Sequence, residues 1–222
     1  MKHIDTPNSV KYVKDKNLTY LETSALKDIY DRVIELEEKE INGVIIEAGC
    51  ALGGSAIVIS DAKKSSRCLK LYDTFDEIPA PGDKDGEDVH ERYETIKSGE
   101  AEGIGDEEYY GYKKDLLRDV KMNFEESGNS IEKNNIEMNK GLFKNTLHTD
   151  GKIAFAHIDC DWYESVMVCL ERIVPNMSEG AYIIIDDYHH WSGCRKAVDE
   201  YFKNKNEKFS FVQKSRLHIK KL

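Results

Sequence analysis

IAFAHIDCDWYES (residues 153–165) and AYIIIDDYHH (residues 181–190) decide the fold. Each is a short apolar, β-rich run that stops on acids. The first leads from Ile153 to Ile158 into Asp159 and Asp161, the second from Tyr182 to Ile185 into Asp186 and Asp187. Runs this short and this apolar read as strands buried on both faces, the habit of parallel sheets. Ligands of open α/β sheets bind beyond the carboxyl ends of the strands, so these carboxylates converge on one crevice. A cation or protonation must relieve their repulsion. An all-oxygen site suits Mg2+, Mn2+ or Ca2+ better than zinc.

The flanking chain repeats a strand–helix pattern. GVIIEAG contains a strand over 44–48, LKLYD one over 69–73, and IEMNKG a weak one over 136–141. Helical spacing of apolar residues is expected over 19–40, in SAIVISDAKK, in DLLRDVKMNFEESG, from Leu142, in ESVMVCLERIV and in SGCRKAVDEYFKNK. KFSFVQKSRLHIKK alternates around Lys214-Ser215 as a β-hairpin does. The pattern predicts one domain over 1–222, a doubly wound, mostly parallel α/β sheet with an antiparallel C-terminal hairpin. Residues 1–17 read as a polar, flexible arm ahead of the first helix, together spanning 1–40. Residues 76–112 are acidic and lack a long apolar face, yet they carry Tyr109, Tyr110 and Tyr112. A connection this long is usually functional or disordered, and a lid over the site is the preferred reading.

Bulk properties narrow the classes. With 222 residues, the chain can bury roughly 70–75% of its unfolded surface. A net charge of −10 argues against a nucleic-acid partner, which needs clustered Lys and Arg. No apolar run reaches the roughly 18 residues of a membrane span, and the polar N-terminus resembles no secretory signal. Five cysteines without CxxC spacing fit reduced thiols in a cytoplasmic protein. Cys160 reads as a small filler rather than a nucleophile.

IIEAGCALGGS runs strand, turn, helix. Gly49 sits at the sharp exit from the strand, while Gly53 and Gly54 would let a ligand approach the backbone and open the next helix. Asp73 ends the next strand, where an acid can accept hydrogen bonds from ribose hydroxyls. The dinucleotide spacing GxGxxG is missing. Glu47 would repel a pyrophosphate but suits an ammonium or a cationic centre. That disfavours an NAD-dependent oxidoreductase and favours S-adenosylmethionine.

IEAGCALGGS, YDTFDEIP, NKGLFKNTL, HIDCDWYES, IIIDDY and GCRKAVDEYF, in this order, resemble the macrocin O-methyltransferase family of Mg2+-dependent sugar O-methyltransferases. The resemblance implies a class I methyltransferase fold with S-adenosylmethionine as donor and Mg2+ (or Mn2+) as metal. It implies metal ligands at Asp159, Asp186 and Asp187. It implies that Glu47, Gly49, Gly53 and Gly54 hold the methionine end of the donor, that Asp73, Thr74 and Phe75 serve its ribose and adenine end, and that Ser55 and Gly141 also bind the donor. The acceptor would be a hydroxyl of a sugar or glycosylated natural product, and a homo-oligomer is expected. The 76–112 segment departs from the family pattern in its length and acidity.

Methyl transfer from a sulfonium needs in-line alignment and a deprotonated oxygen. Asp159 is the expected base, with His189 and His190 as alternatives. Asp161 reads as a helix cap or as a group behind the ligands, with a fourth ligand as the alternative. Trp162 and Tyr163 are expected to wall the site, and Arg195 to orient an acid or to pair on the surface. Rival readings are a catechol- or caffeoyl-type O-methyltransferase acting on a phenol, and an inactive nucleotide-binding homologue.

Overall fold

The computed structural model describes residues 6–222. The chain opens with α1 (Asn8–Asp15) and α2 (Thr23–Glu38). It continues through β1 (Val44–Ala48), α3 (Gly54–Ala62), β2 (Leu69–Asp73), α4 (Glu87–Lys97) and α5 (Leu116–Glu126). The remainder is β3 (Ile136–Lys140), α6 (Phe143–Thr146), β4 (Ile153–Ile158), α7 (Tyr163–Ile173), β5 (Met177–Ile185), α8 (Ser192–Phe202), β6 (Phe209–Gln213) and β7 (Leu217–Lys221). The strands form one seven-stranded sheet in the order β3-β2-β1-β4-β5-β7-β6. The first five of these are parallel, and the C-terminal hairpin adds two antiparallel strands.

Alternate strand residues feed two cores. Ile45, Phe155 and Ile184 face α1, α2, α3 and α5, whereas Ile46, Ala156 and Ile183 face α7 and α8. Every residue of β4 is buried, as expected of a central strand covered on both faces. Sequence order reverses between β1 and β4, with β2 and β3 on one side and β4 and β5 on the other. That switch point is where such sheets bind ligands. The register levels the strand ends there: Ala48 pairs with Ile158, and Ile158 with Ile185. Gly49, Asp159 and Asp186 therefore emerge side by side.

Two expectations need correction. Residues 8–15 are a helix, not a flexible arm: Val10 and Val13, three apart, are fully buried against the first core. The first five residues of that expected arm lie outside the described residues. The 76–112 segment is ordered and carries α4 and a short 3-10 turn at Tyr110–Tyr112. Its acids explain why its helix escaped a search for apolar periodicity. Asp85 accepts from the first amide of α7 (Tyr163 N, 2.7 Å) and Asp88 from the first amide of α8 (Ser192 N, 2.9 Å). Both cap another element's helix, where an anion is favoured. Tyr112 closes the segment on itself, donating to the Ile96 carbonyl (2.7 Å) and accepting from Ala101 N (3.0 Å).

Candidate active site

Close packing shapes the turn after β1. Gly49 has φ 83°, and a Cβ on it would stand 1.8 Å from the Asp159 backbone oxygen. Glycine here lets β4 approach. A Cβ on Gly54 would stand 2.4 Å from the Leu18 carbonyl oxygen, so this glycine admits the N-terminal segment. Gly53, with φ 86°, is the N-cap of α3. Ser55 borders the crevice, whereas Gly53 and Gly54 are buried behind it.

Asp73 braces the same turn. One oxygen accepts from Cys50 N (2.8 Å) and Ala51 N (3.2 Å), the other from Phe75 N (2.8 Å). The second oxygen also accepts from the Thr74 hydroxyl (3.3 Å), so a ribose hydroxyl would have to share these oxygens with, or displace, that side chain. Thr74 borders the crevice, but the Phe75 side chain belongs to the core. Gly141 donates its N–H to the Asp73 carbonyl (2.9 Å), and the two residues after it, Leu142 and Phe143, line the cavity.

The acids at the strand ends form one cluster. Ligand atoms lie within 4.8 Å of one another in three sets: His157, Asp159 and Asp186; Asp159, Asp161 and Asp187; Asp186, Asp187 and His190. Each pair among Asp159, Asp186 and Asp187 thus meets in one set or another. His157, hidden in the apolar run of β4, is fully buried. Its Nδ1 lies 2.7 Å from Glu47 Oε1 and its Nε2 3.7 Å from Asp186 Oδ1. Burial opposes its charge, yet the neighbouring carboxylates of Asp186 and Glu47, the latter hydrogen-bonded to it, hold its pKa up at about 10. Arg216 donates from Nε to Asp186 Oδ1 (2.7 Å).

Positive charge therefore gathers on Asp186. Burial alone would raise that carboxyl, but His157 and Arg216 pull it below the ordinary carboxylate range. Its neighbours differ. Burial and then repulsion from Asp186 push Asp159 well up, and burial and repulsion from Asp161 and Asp159 do the same to Asp187. Burial also raises Asp161. Asp187 Oδ2 is buried without a partner. A set of carboxylates crowded in this way, short of positive charge and with a free oxygen, fits a hard divalent cation.

Asp161 does not cap α7, whose first amide belongs to Asp85. It stands at φ 57° and lines both parts of the crevice. Those parts, about 320 Å³ and about 200 Å³, share Gly49, Asp73, Tyr110, Asp159 and Asp161. The 76–112 segment walls both through Pro79 and Gly82 on one side and Arg92 and Tyr109 on the other. Trp162 donates to the Pro79 carbonyl (3.0 Å) and lines the smaller part. Tyr163 instead reaches Lys84 (2.8 Å) and Glu200 (2.6 Å), outside the crevice.

The two histidines diverge. His189 is exposed and turned to Gln213 (2.7 Å), away from the cavity. His190 borders it, 3.6 Å from Asp187, and is half exposed. Arg195 holds the backbone carbonyls of Tyr188 and His189 rather than an aspartate. Burial raises the Cys160 thiol well above its ordinary pKa, which suits a filler. Sequence reasoning missed His157, Arg216 and Arg92. A histidine inside an otherwise apolar strand was the one available signal.

The family model "Macrocin-O-methyltransferase (TylF)" matches residues 15–213. An 8-demethyl-8-(2,3-dimethoxy-alpha-L-rhamnosyl)-tetracenomycin-C 4'-O-methyltransferase of Streptomyces olivaceus is 30% identical over 72% of this chain and 58% of its own length. The demethyldecarbamoylnovobiocin O-methyltransferase of Streptomyces niveus is 27% identical over 82% of this chain and 67% of its own. The chain thus spans about three fifths to two thirds of these relatives. Among solved structures, the O-methyltransferase NovP superposes with a TM-score of 0.76 at 21% identity, covering 95% of this chain and 88% of that one. An O-methyltransferase from Bacillus cereus in complex with SAH superposes at 0.57 and 13% identity, covering 99% and 94%. The fold is that of class I methyltransferases, and the chain belongs to the macrocin O-methyltransferase family.

Proposed function

We propose that this chain is an S-adenosylmethionine-dependent O-methyltransferase acting on a hydroxyl of a sugar or glycosylated natural product. A divalent cation, Mg2+ or Mn2+, would be held by Asp159, Asp186 and Asp187. One observation carries the reading: the Asp73-braced glycine turn and the undercompensated carboxylate cluster share a crevice at one switch point. The two Streptomyces relatives, named as O-methyltransferases of such compounds, support the acceptor class. The SAH in the Bacillus cereus structure supports the donor.

S-adenosylmethionine supplies an electrophilic methyl group on a positively charged sulfur. The cation supplies charge that makes a sugar hydroxyl more acidic. The chain supplies alignment and proton removal. Asp73 lines both parts of the crevice, where its carboxylate would meet the ribose hydroxyls, and Leu142 and Phe143 would flank the base. Glu47, expected at the ammonium end, is fully buried against His157 and borders neither part of the crevice. Asp159 joins two of the three ligand sets, which is a ligand's place. Asp161 offers a second candidate for the proton-accepting role expected of Asp159: both line the crevice and burial raises both carboxyls, but Asp161 joins only one ligand set. The 76–112 segment excludes water from this chemistry as a lid. Self-association belongs to the same proposal, to be checked by light scattering. Among the described residues no helix is long and apolar enough to cross a membrane.

The test replaces Asp186 and Asp187 by Asn. Turnover with S-adenosylmethionine and a glycoside panel should fall by roughly a thousandfold, the several kcal/mol a Lewis acid contributes. S-adenosylhomocysteine binding, followed by calorimetry, should persist. Undiminished turnover in excess EDTA would remove the cation, and methylation of catechols but no glycosides would replace the acceptor class.

A further inference from the structure

Arg216, the residue before β7, holds two acids at once. Its Nε donates to Asp186 Oδ1 (2.7 Å) and its Nη2 to Glu22 Oε2 (2.9 Å), while Nη1 donates to the Ser215 carbonyl (3.0 Å). Arg216 is 11% exposed, Asp186 7% and Glu22 63%. One end of the fork is thus buried in the carboxylate cluster, and the other reaches solvent. Asp186 Oδ1 also faces His157 Nε2 at 3.7 Å. A guanidinium cannot lose its proton, so it stays a cation wherever it points.

We propose that Arg216 is a built-in counter-cation that competes with the divalent ion for Asp186, with Glu22 as its second seat. This rests on the cation reading given above. A divalent ion beside Asp186 repels the guanidinium and withdraws Asp186 charge from it. Glu22 keeps its share, because its carboxylate lies outside the ligand sets. The pairing joins the cluster to residues 18–22, which wall the larger part of the crevice and lead into α2 at its N-cap, Glu22. Ion entry therefore shifts Arg216 towards this wall, so the crevice registers the cation through its N-terminal segment.

The test titrates Mn2+ into the protein without donor or acceptor and counts free ion by electron paramagnetic resonance, with thermal melts as a folding control. R216M should bind Mn2+ roughly tenfold tighter, the low end of what one adjacent charge does to a carboxylate's affinity for a cation. E22Q, which strands the guanidinium on Asp186, should bind more weakly by about twofold, as befits an exposed partner. R216K, which keeps the charge, should stay near wild type. A purely structural Arg216 would give weaker binding in both R216M and E22Q. Binding by R216M that is unchanged or weaker overturns the proposal. Should R216M fail to fold, E22Q binding as tightly as wild type overturns it. A wild-type protein that takes up no Mn2+ removes the cation reading itself, a failure distinct from the other two.

Discussion

Asp85→Ala should release the 76–112 segment, the proposed lid, while leaving the carboxylate cluster in place. Asp85 is 9% exposed and accepts two backbone amides, Tyr163 N at 2.7 Å and Gly82 N at 2.9 Å. The first is the opening amide of α7 and is buried, so its loss carries the cost of a vanished N-cap, about 1–2 kcal/mol. The second lies in the lid and adds up to about 1 kcal/mol. The total is about 2 kcal/mol, which in a chain of this length corresponds to a fall in Tm of roughly 4–8 °C. Scanning calorimetry reads the melt, and limited trypsin digestion reads the lid, whose Lys84 and Lys97 should be cut sooner. Gly193→Ala should mimic the variant, since a Cβ there would stand 1.9 Å from Asp85 Oδ1. A melt within about 1 °C of wild type with unchanged digestion would show that this clip does not hold the lid.

Gly49→Ala combines a positive φ with a clash against the Asp159 backbone and should cost about 3 kcal/mol or more in urea unfolding; a loss under 1 kcal/mol would deny that the β1–β4 approach needs glycine. Asp161→Asn should lower kcat by roughly 10²–10⁴-fold while weakening Mn2+ binding by only about tenfold, the effect of one adjacent charge; near-complete loss of Mn2+ binding would make Asp161 a ligand. His218, buried and facing Arg32 and Asp28, has its pKa lowered by burial from 6.5 to about 4. A folded-state pKa below the unfolded one favours the fold above pH 6.5, and that contribution is lost as pH falls towards 4. His218→Phe should therefore flatten the stability profile in this window, and an unchanged slope would count against it.

How far the sequence could be read follows from the range of the forces involved. The strands β1, β2, β4, β5 and the hairpin were legible because apolar runs and alternation are local signals. The acids that end them were legible as a site because a parallel sheet sends strand ends to one edge. α1 was not, since two buried valines among charged neighbours resemble a polar arm until another surface covers them. α4 was hidden because Asp85 and Asp88 cap helices whose first residues lie 78 and 104 positions further on. His189 and His190 are adjacent in sequence yet point to different places, since the turn after β5 directs one to Gln213 and the other to Asp187.

The chain on its own determined the doubly wound sheet, its hairpin, and the edge where glycine turn and aspartates meet, because periodicity and strand ends are written in neighbouring residues. Tertiary structure alone decided which acids are compensated. His157 from β4 and Arg216 from the turn between β6 and β7 come together to neutralise Asp186, leaving Asp159, Asp161 and Asp187 to repel one another. Electrostatic balance in a buried cluster depends on distances of a few ångströms and on lost water, and neither is set until the strands have been laid side by side.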